Sequence, residues 1–137
     1  MAKSLFLCKY QETSTGRYID GTEETIETCF IDEDIFQHFE KWEVWCKQEI
    51  FEDEEEKEST NVIEYIDHDK IESVIKEMQK LFLDKRYEKI QRKELEENPH
   101  LLTNVIKKFR TICNIIFLLQ LKFDQYPTDS RVIVQLG

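Results

Sequence analysis

Asp67, His68 and Asp69 form the one local run that joins an imidazole to carboxylates. Such groups can ligate a divalent ion, but a structural site takes about four ligands in matched geometry. Helix capping accounts for both aspartates without a metal. The other histidines, His38 and His100, lie far away in sequence, and His38 falls between Gln37 and Phe39 in an amphipathic stretch where packing explains it more simply than general-base chemistry. Four cysteines, Cys8, Cys29, Cys46 and Cys113, show no C-x-x-C spacing, which argues against a zinc knuckle or a dithiol redox pair. They read as reduced thiols packed as small hydrophobes in a cytoplasmic protein. There is no P-loop, G-x-G-x-x-G, G-x-S-x-G or H-E-x-x-H pattern. Glycine occurs only at 16, 21 and 137, which leaves little room for a phosphate-cradling loop. The sequence therefore names no catalytic residue, metal ligand or cofactor.

Charge is more informative. Residues 1–70 hold 7 Lys and Arg against 20 Asp and Glu, or −13; residues 71–137 hold 12 against 9, or +3; together they make the net −10. Much of the excess sits in one run: Glu52, Asp53, Glu54, Glu55, Glu56, Lys57 and Glu58. Its contiguous glutamates lack the alternation and the glycine of a calcium loop. Such a field repels nucleic acid and anionic membranes and draws in basic surfaces. Basic residues at 85–93 are interleaved with Asp84, Glu88, Glu94 and Glu96, which fits an exposed, ion-paired helix face better than a nucleic-acid footprint.

The elements that must position these groups follow from periodicity. The chain of 137 residues, 40% hydrophobic and 12% aromatic, is too rich in core-formers for an acidic disordered tail and fits a single domain, 1–137, with an acidic loop near 51–60. Residues 3–10 alternate, with Leu5, Leu7 and Lys9 on one face and Phe6, Cys8 and Tyr10 on the other; Asp20-Gly21 signals a turn, and 25–31 alternate again. Ile35, Phe36, Phe39, Trp42, Cys46 and Ile50 fall at helical spacing and predict a helix from Asp32 or Asp34 into the acidic run. Residues 61–66 are ambiguous, with a short strand as one reading. Ile71, Val74, Ile75, Met78, Leu81 and Phe82 predict a second helix, extended by Tyr87 and Ile90. Asn98-Pro99 sets a boundary. A last helix over 100–123 is expected to bury Leu102, Val105, Ile106, Phe109, Ile116, Phe117 and Leu119, because 112–121 is apolar around most of its circumference. That stretch falls short of the ~20 residues a bilayer needs. Residues 131–136 read as a closing strand.

The expected fold is α+β: a small antiparallel sheet from the N-terminal strands and the C-terminal strand, packed against three or four helices in a helix-rich domain. The expected function is that of an acidic, cytoplasmic protein-binding inhibitor or antagonist, immunity-protein-like or phage anti-defence-like, acting by stoichiometric binding to another protein with a basic surface. Trp42 and Trp45 are the candidate anchors, and Glu52, Asp53, Glu54, Glu55 and Glu56 the steering rim. A small-molecule-binding or sequestering protein is the alternative, and an enzyme with dispersed catalytic residues the third reading.

Overall fold

Alternation builds the sheet, and the helical period builds the layer that covers one side of it. The computed structural model describes residues 3–83 and 96–137. In chain order the strands are β1 (Lys3–Lys9), β2 (Tyr18–Ile19), β3 (Glu24–Ile31), β4 (Trp45–Phe51), β5 (Ser59–Ile66) and β6 (Val132–Leu136). The helices are α1 (Glu33–Lys41), α2 (Ile71–Phe82), entered through the 3-10 turn His68–Lys70, and α3 (Pro99–Gln125). The strands form one sheet in the order β2-β4-β5-β6-β1-β3, antiparallel except for the parallel β2–β4 pair.

Leu5, Leu7, Ile31, Ile66, Val132 and Val134 point to one face and meet Ile35 and Phe39 of α1, Val74, Ile75 and Met78 of α2, and Ile112, Ile115, Leu118 and Leu119 of α3. This is the main core. Asp32 caps α1 by accepting from the Ile35 N–H at 2.8 Å. The same carboxylate pairs with Lys108 of α3 at 3.0 Å, which also reaches Asp34 at 2.8 Å, tying the start of α1 to the middle of α3.

The opposite face is concave and holds a second, smaller core of Cys8, Tyr10, Tyr18, Ile50, Ile63 and Ile133. Neighbouring strands lie ~4.8 Å apart, so β1 and β2, with three strands between them, would be ~19 Å apart in a flat sheet. Instead the Tyr10 and Tyr18 rings stack at 4.9 Å. The chain just after β1 meets β2 directly: Glu12 bridges Tyr18, and the Ile19 N–H donates to the Gln11 carbonyl at 3.0 Å. The sheet curls until one end closes on itself.

Three expectations need correction. The small, wholly antiparallel sheet is a six-stranded mixed sheet, although the α+β class stands. The predicted helix into the acidic run stops at Lys41; Glu43 takes φ 52°, and residues 45–51 become β4 instead. Cys46 and Ile50 are four apart, a spacing that serves a helix face and a strand face alike, which is why the pattern misled. With β4 and β5 in the sheet and three helices among the described residues, the fold is less helix-dominated than expected.

The face of α3 also differs. The buried stripe is Ile112, Ile115, Leu118 and Leu119, whereas Ile106 and Phe117, expected inside, are exposed, Phe117 at 59%. Val105, Phe109 and Ile116 are half-buried, and Leu119 is buried as expected. An apolar run around the helix hides which side meets the sheet. Lys122 extends the buried stripe at only 3% exposure, because its ammonium donates to the carbonyls of Tyr126 at 2.7 Å and Asp129 at 3.2 Å. The expected extension of α2 through Tyr87 and Ile90, the basic residues at 85–93 and the side chain of Leu102 lie outside the described residues.

This geometry separates two neighbours on α3. Leu118→Ala removes a fully buried side chain and should cost about 2–5 kcal/mol. Phe117→Ala should change stability by less than about 1 kcal/mol, since surface substitutions act weakly. Urea unfolding of both variants checks this; equal losses would contradict the assigned helix face.

Candidate functional site

The sequence-selected residues fall at two separate places. Trp42 caps the end of α1 and packs on His38 and Phe39, with ring centroids 5.6 Å from each. Trp45 opens β4 and packs on Phe36 at 6.1 Å and Phe39 at 5.8 Å. Both are half-buried against the main core, and the Trp45 indole N–H is buried with no acceptor among the described residues. From Trp45 to Phe51 the strand carries the chain ~20 Å at ~3.3 Å per residue before the acidic run begins. The tryptophans and the carboxylates do not form one surface.

The acidic run itself is a folded hairpin loop between β4 and β5. The Glu52 N–H donates to the Glu58 carbonyl at 3.1 Å. Asp53 accepts from the Glu55 N–H at 2.9 Å through its side chain, and its carbonyl accepts from the Glu56 N–H at 3.3 Å. Glu56 then turns through φ 56°, and its carboxylate accepts from the hydroxyls of both Thr13 and Thr15. Those two bonds, Thr13 first, hold the Glu56 carboxyl below its ordinary range, so it stays charged.

The other half of this clamp is a tight turn. Thr13 N–H donates to the Arg17 carbonyl at 2.7 Å, Gly16 N–H returns to the Thr13 carbonyl at 3.0 Å, and Gly16 supplies φ 83°. The Asp20 N–H donates to the Phe51 carbonyl at 2.7 Å, so the segment around β2 and the hairpin loop share one end of the sheet. Glu52, Asp53, Glu54 and Glu55 remain exposed there, with Lys57 paired to Glu55 at 2.9 Å. No local pattern marks Thr13 and Thr15; their role depends on a contact more than 40 residues away.

The concave face offers the second feature. Phe6, Cys8, Tyr10, Glu23, Thr25, Gln135 and Gly137 line a pocket of about 220 Å³. It adjoins an open groove of about 520 Å³ where β5 and β6 part, lined by Asn61, Val62, Ile63 and Glu64 with Lys3 and residues 135–137. The two strands share only the Tyr65–Gln135 pair. In the pocket the Gln135 carbonyl oxygen accepts from the Tyr10 hydroxyl at 2.6 Å and the Cys8 thiol at 3.6 Å. Gly137 lies so close under Phe6 that any Cβ there would run into the ring. Burial, aided by the charge of Glu23, pushes the Cys8 thiol up to about 12. Burial also raises Tyr10, with Cys8 and Glu23 adding to it and the Gln135 bond opposing it. At neutral pH both groups keep their protons, so Cys8 presents a thiol and not a thiolate nucleophile. The signal for Gln135 was its place as the lone amide in an otherwise apolar strand.

Elsewhere the sequence readings resolve as local structure. Asp67 accepts from the Asp69 N–H at 3.0 Å and caps the 3-10 turn, while the His68 ring packs on Tyr65. Burial, then the nearby Lys122, lowers His68 below its ordinary range. Among the described residues no three His, Cys, Asp or Glu side chains converge to hold a metal ion, and no helix is long and apolar enough to cross a membrane.

The buried thiols set an alkaline limit on stability. Cys8 and Cys29 titrate near 12 in the fold, Cys29 through burial and then Glu27, against an ordinary thiol value of 9.0. A raised folded value means that the unfolded chain loses these protons first. Stability should therefore be level below about pH 8.5 and fall as pH rises toward 12. Urea titrations at pH 8, 9 and 10 should show the decline, and a Cys8→Ala, Cys29→Ala variant should show a shallower one; an unchanged slope would refute the assignment. Comparison with protein families, curated proteins and solved structures finds no match to this chain.

Proposed function

We propose that this protein is a stoichiometric antagonist that binds a basic partner protein through the acidic end of its sheet, in the manner of an immunity or anti-defence protein. One observation carries the reading: Glu56, clamped by Thr13 and Thr15, gives the acidic run a fixed shape. A preorganised loop loses little freedom on binding, so more of its interaction energy appears as affinity. Its exposed carboxylates steer encounter with a positive surface, an effect on association rate that falls with salt. The four free cysteines suit a reducing, cytoplasmic setting. Trp42 and Trp45 serve the core in this reading and are not the anchors.

A small ligand held on the concave face is the second reading, favoured by the polar groups that meet at Gln135. It ranks behind because about 220 Å³ is below the ~300–1,000 Å³ of ordinary ligand sites.

The test compares the wild type with a variant carrying Glu52→Gln, Asp53→Asn, Glu54→Gln and Glu55→Gln while Glu56 is retained. Partners are captured at low salt, identified, and their association rates measured. The recovered partner should be basic, and the variant should associate at least about tenfold more slowly at low salt, with the difference vanishing at high salt. Circular dichroism and melting should be unchanged. Equal association rates at low salt would overturn the proposal.

A further inference from the structure

We propose that the concave-face pocket between β1 and β6 receives one arginine side chain of the basic partner, which makes it the anchor that the acidic end lacks. This inference rests on the protein-binding reading above and names the partner chemistry that it requires.

The size argument comes first. About 220 Å³ is below the ~300–1,000 Å³ of sites that take a whole small molecule and suits a single inserted side chain. The chemistry agrees with the size. Phe6 and Tyr10 supply an apolar wall for the methylenes and for the flat face of a guanidinium. Glu23 and Thr25 supply a carboxylate and a hydroxyl at the rim. No lysine, arginine or histidine lines the pocket, and Glu23 pairs with no cation among the described residues. Three cations of the surrounding strands are engaged elsewhere: Arg131 pairs with Asp129 at 3.1 Å, the Lys3 ammonium lies 3.6 Å over the Phe36 ring, and Lys9 lies on the opposite face of β1, across from Glu24.

The walls are also fixed in advance. Tyr10 is stacked on Tyr18 and bonded to Gln135, and Tyr18 donates its hydroxyl to the Ser130 carbonyl. The charge of Glu23 is felt at Cys8 and Tyr10, as expected of a carboxylate directed over the pocket. The Tyr10–Tyr18 stack joins the pocket to the acidic end, so one basic partner can be steered by the loop and held at the pocket. An arginine meets a planar carboxylate with two parallel hydrogen bonds, which a lysine cannot do.

Amide chemical-shift mapping with capped Gly-Arg-Gly, its citrulline counterpart, agmatine and hexa-arginine tests this. Gly-Arg-Gly should shift Phe6, Cys8, Tyr10 and Gln135 saturably, and the neutral citrulline peptide should not. Glu23→Gln should weaken the arginine peptide by about tenfold, the loss of one charge-assisted hydrogen bond. Glu23→Arg, which fills the pocket with the protein's own cation, should abolish binding; Glu23 is exposed, so both variants should keep the wild-type circular dichroism spectrum. Equal binding of the citrulline peptide would overturn the proposal. Agmatine binding more tightly than the peptide would reassign the pocket to a free small cation and overturn it as well. Hexa-arginine shifts confined to 52–58 would overturn the pocket while leaving capture by the acidic end standing. No response to hexa-arginine anywhere would remove both.

Discussion

The structure depends on β6 lying inside the sheet and not at its rim. It runs beside β1 through the register Leu5–Leu136 to Lys9–Val132, and Ser4 and Gly137 exchange backbone hydrogen bonds at 3.1 and 2.9 Å. On its other side it meets β5 at Tyr65. It therefore joins the antiparallel β1–β3 pair to the β4–β5 hairpin. Val132, Ile133 and Val134 are completely buried because β6 has both faces covered: Val132 and Val134 enter the helix-side core and Ile133 the concave one. A strand buried on both faces reads as a continuous apolar run, which residues 132–134 are.

Central placement of β6 has a geometric consequence. Because β5 leaves β6 after a single pair, the sheet opens into the groove above residues 135–137, and the curl is taken up at the opposite end, where β2 meets the chain after β1. Gln135 stands at that parting. It faces the concave side, where the alternation of β6 puts an amide among Tyr10, Cys8 and Phe6, and its oxygen satisfies two donors that would otherwise be costly to bury. The pocket is thus a by-product of register. A one-residue slip of β6 would turn Gln135 into the helix-side core and expel Val134 from it.

Much of this was legible from local pattern, and the failures have a common cause. β1 and β3 alternate, β6 is a short apolar run, α2 shows a clean helical face, and Pro99 begins α3 where a proline best fits a helix. Each of these is decided within ten or so residues. β2 is two residues long and exists only because β4 lies beside it. β4 was hidden because Cys46 and Ile50 satisfy two periods at once. In α3 the apolar content was clear, but the face was not: a helix apolar on most sides is oriented by what it packs against, and Lys108 reaching Asp32 is part of that choice. The candidate site divides the same way. The charge of 52–58 is written in the sequence, whereas its clamp by Thr13 and Thr15 and the meeting of Tyr10 with Gln135 join residues 41 to 125 positions apart.

The acidic run gives the fold little in return for its charge. Like charges ~4 Å apart repel by about 1 kcal/mol in water, reduced further by salt. Among Glu52, Asp53, Glu54, Glu55 and Glu56, two side chains shape the loop: Asp53 through its bond to the Glu55 N–H, and Glu56 through the threonine hydroxyls. Glu55 holds an exposed pair with Lys57, an interaction worth little. The bonds made by Glu52 and Glu58 across the loop neck are backbone bonds and would survive neutral side chains there. A loop needing two carboxylates for its shape carries six between 52 and 58. The remainder weaken the isolated protein slightly and shape nothing in the fold; the proposed basic partner gives them, the fixed loop and a Glu23 that pairs with no cation among the described residues a common role.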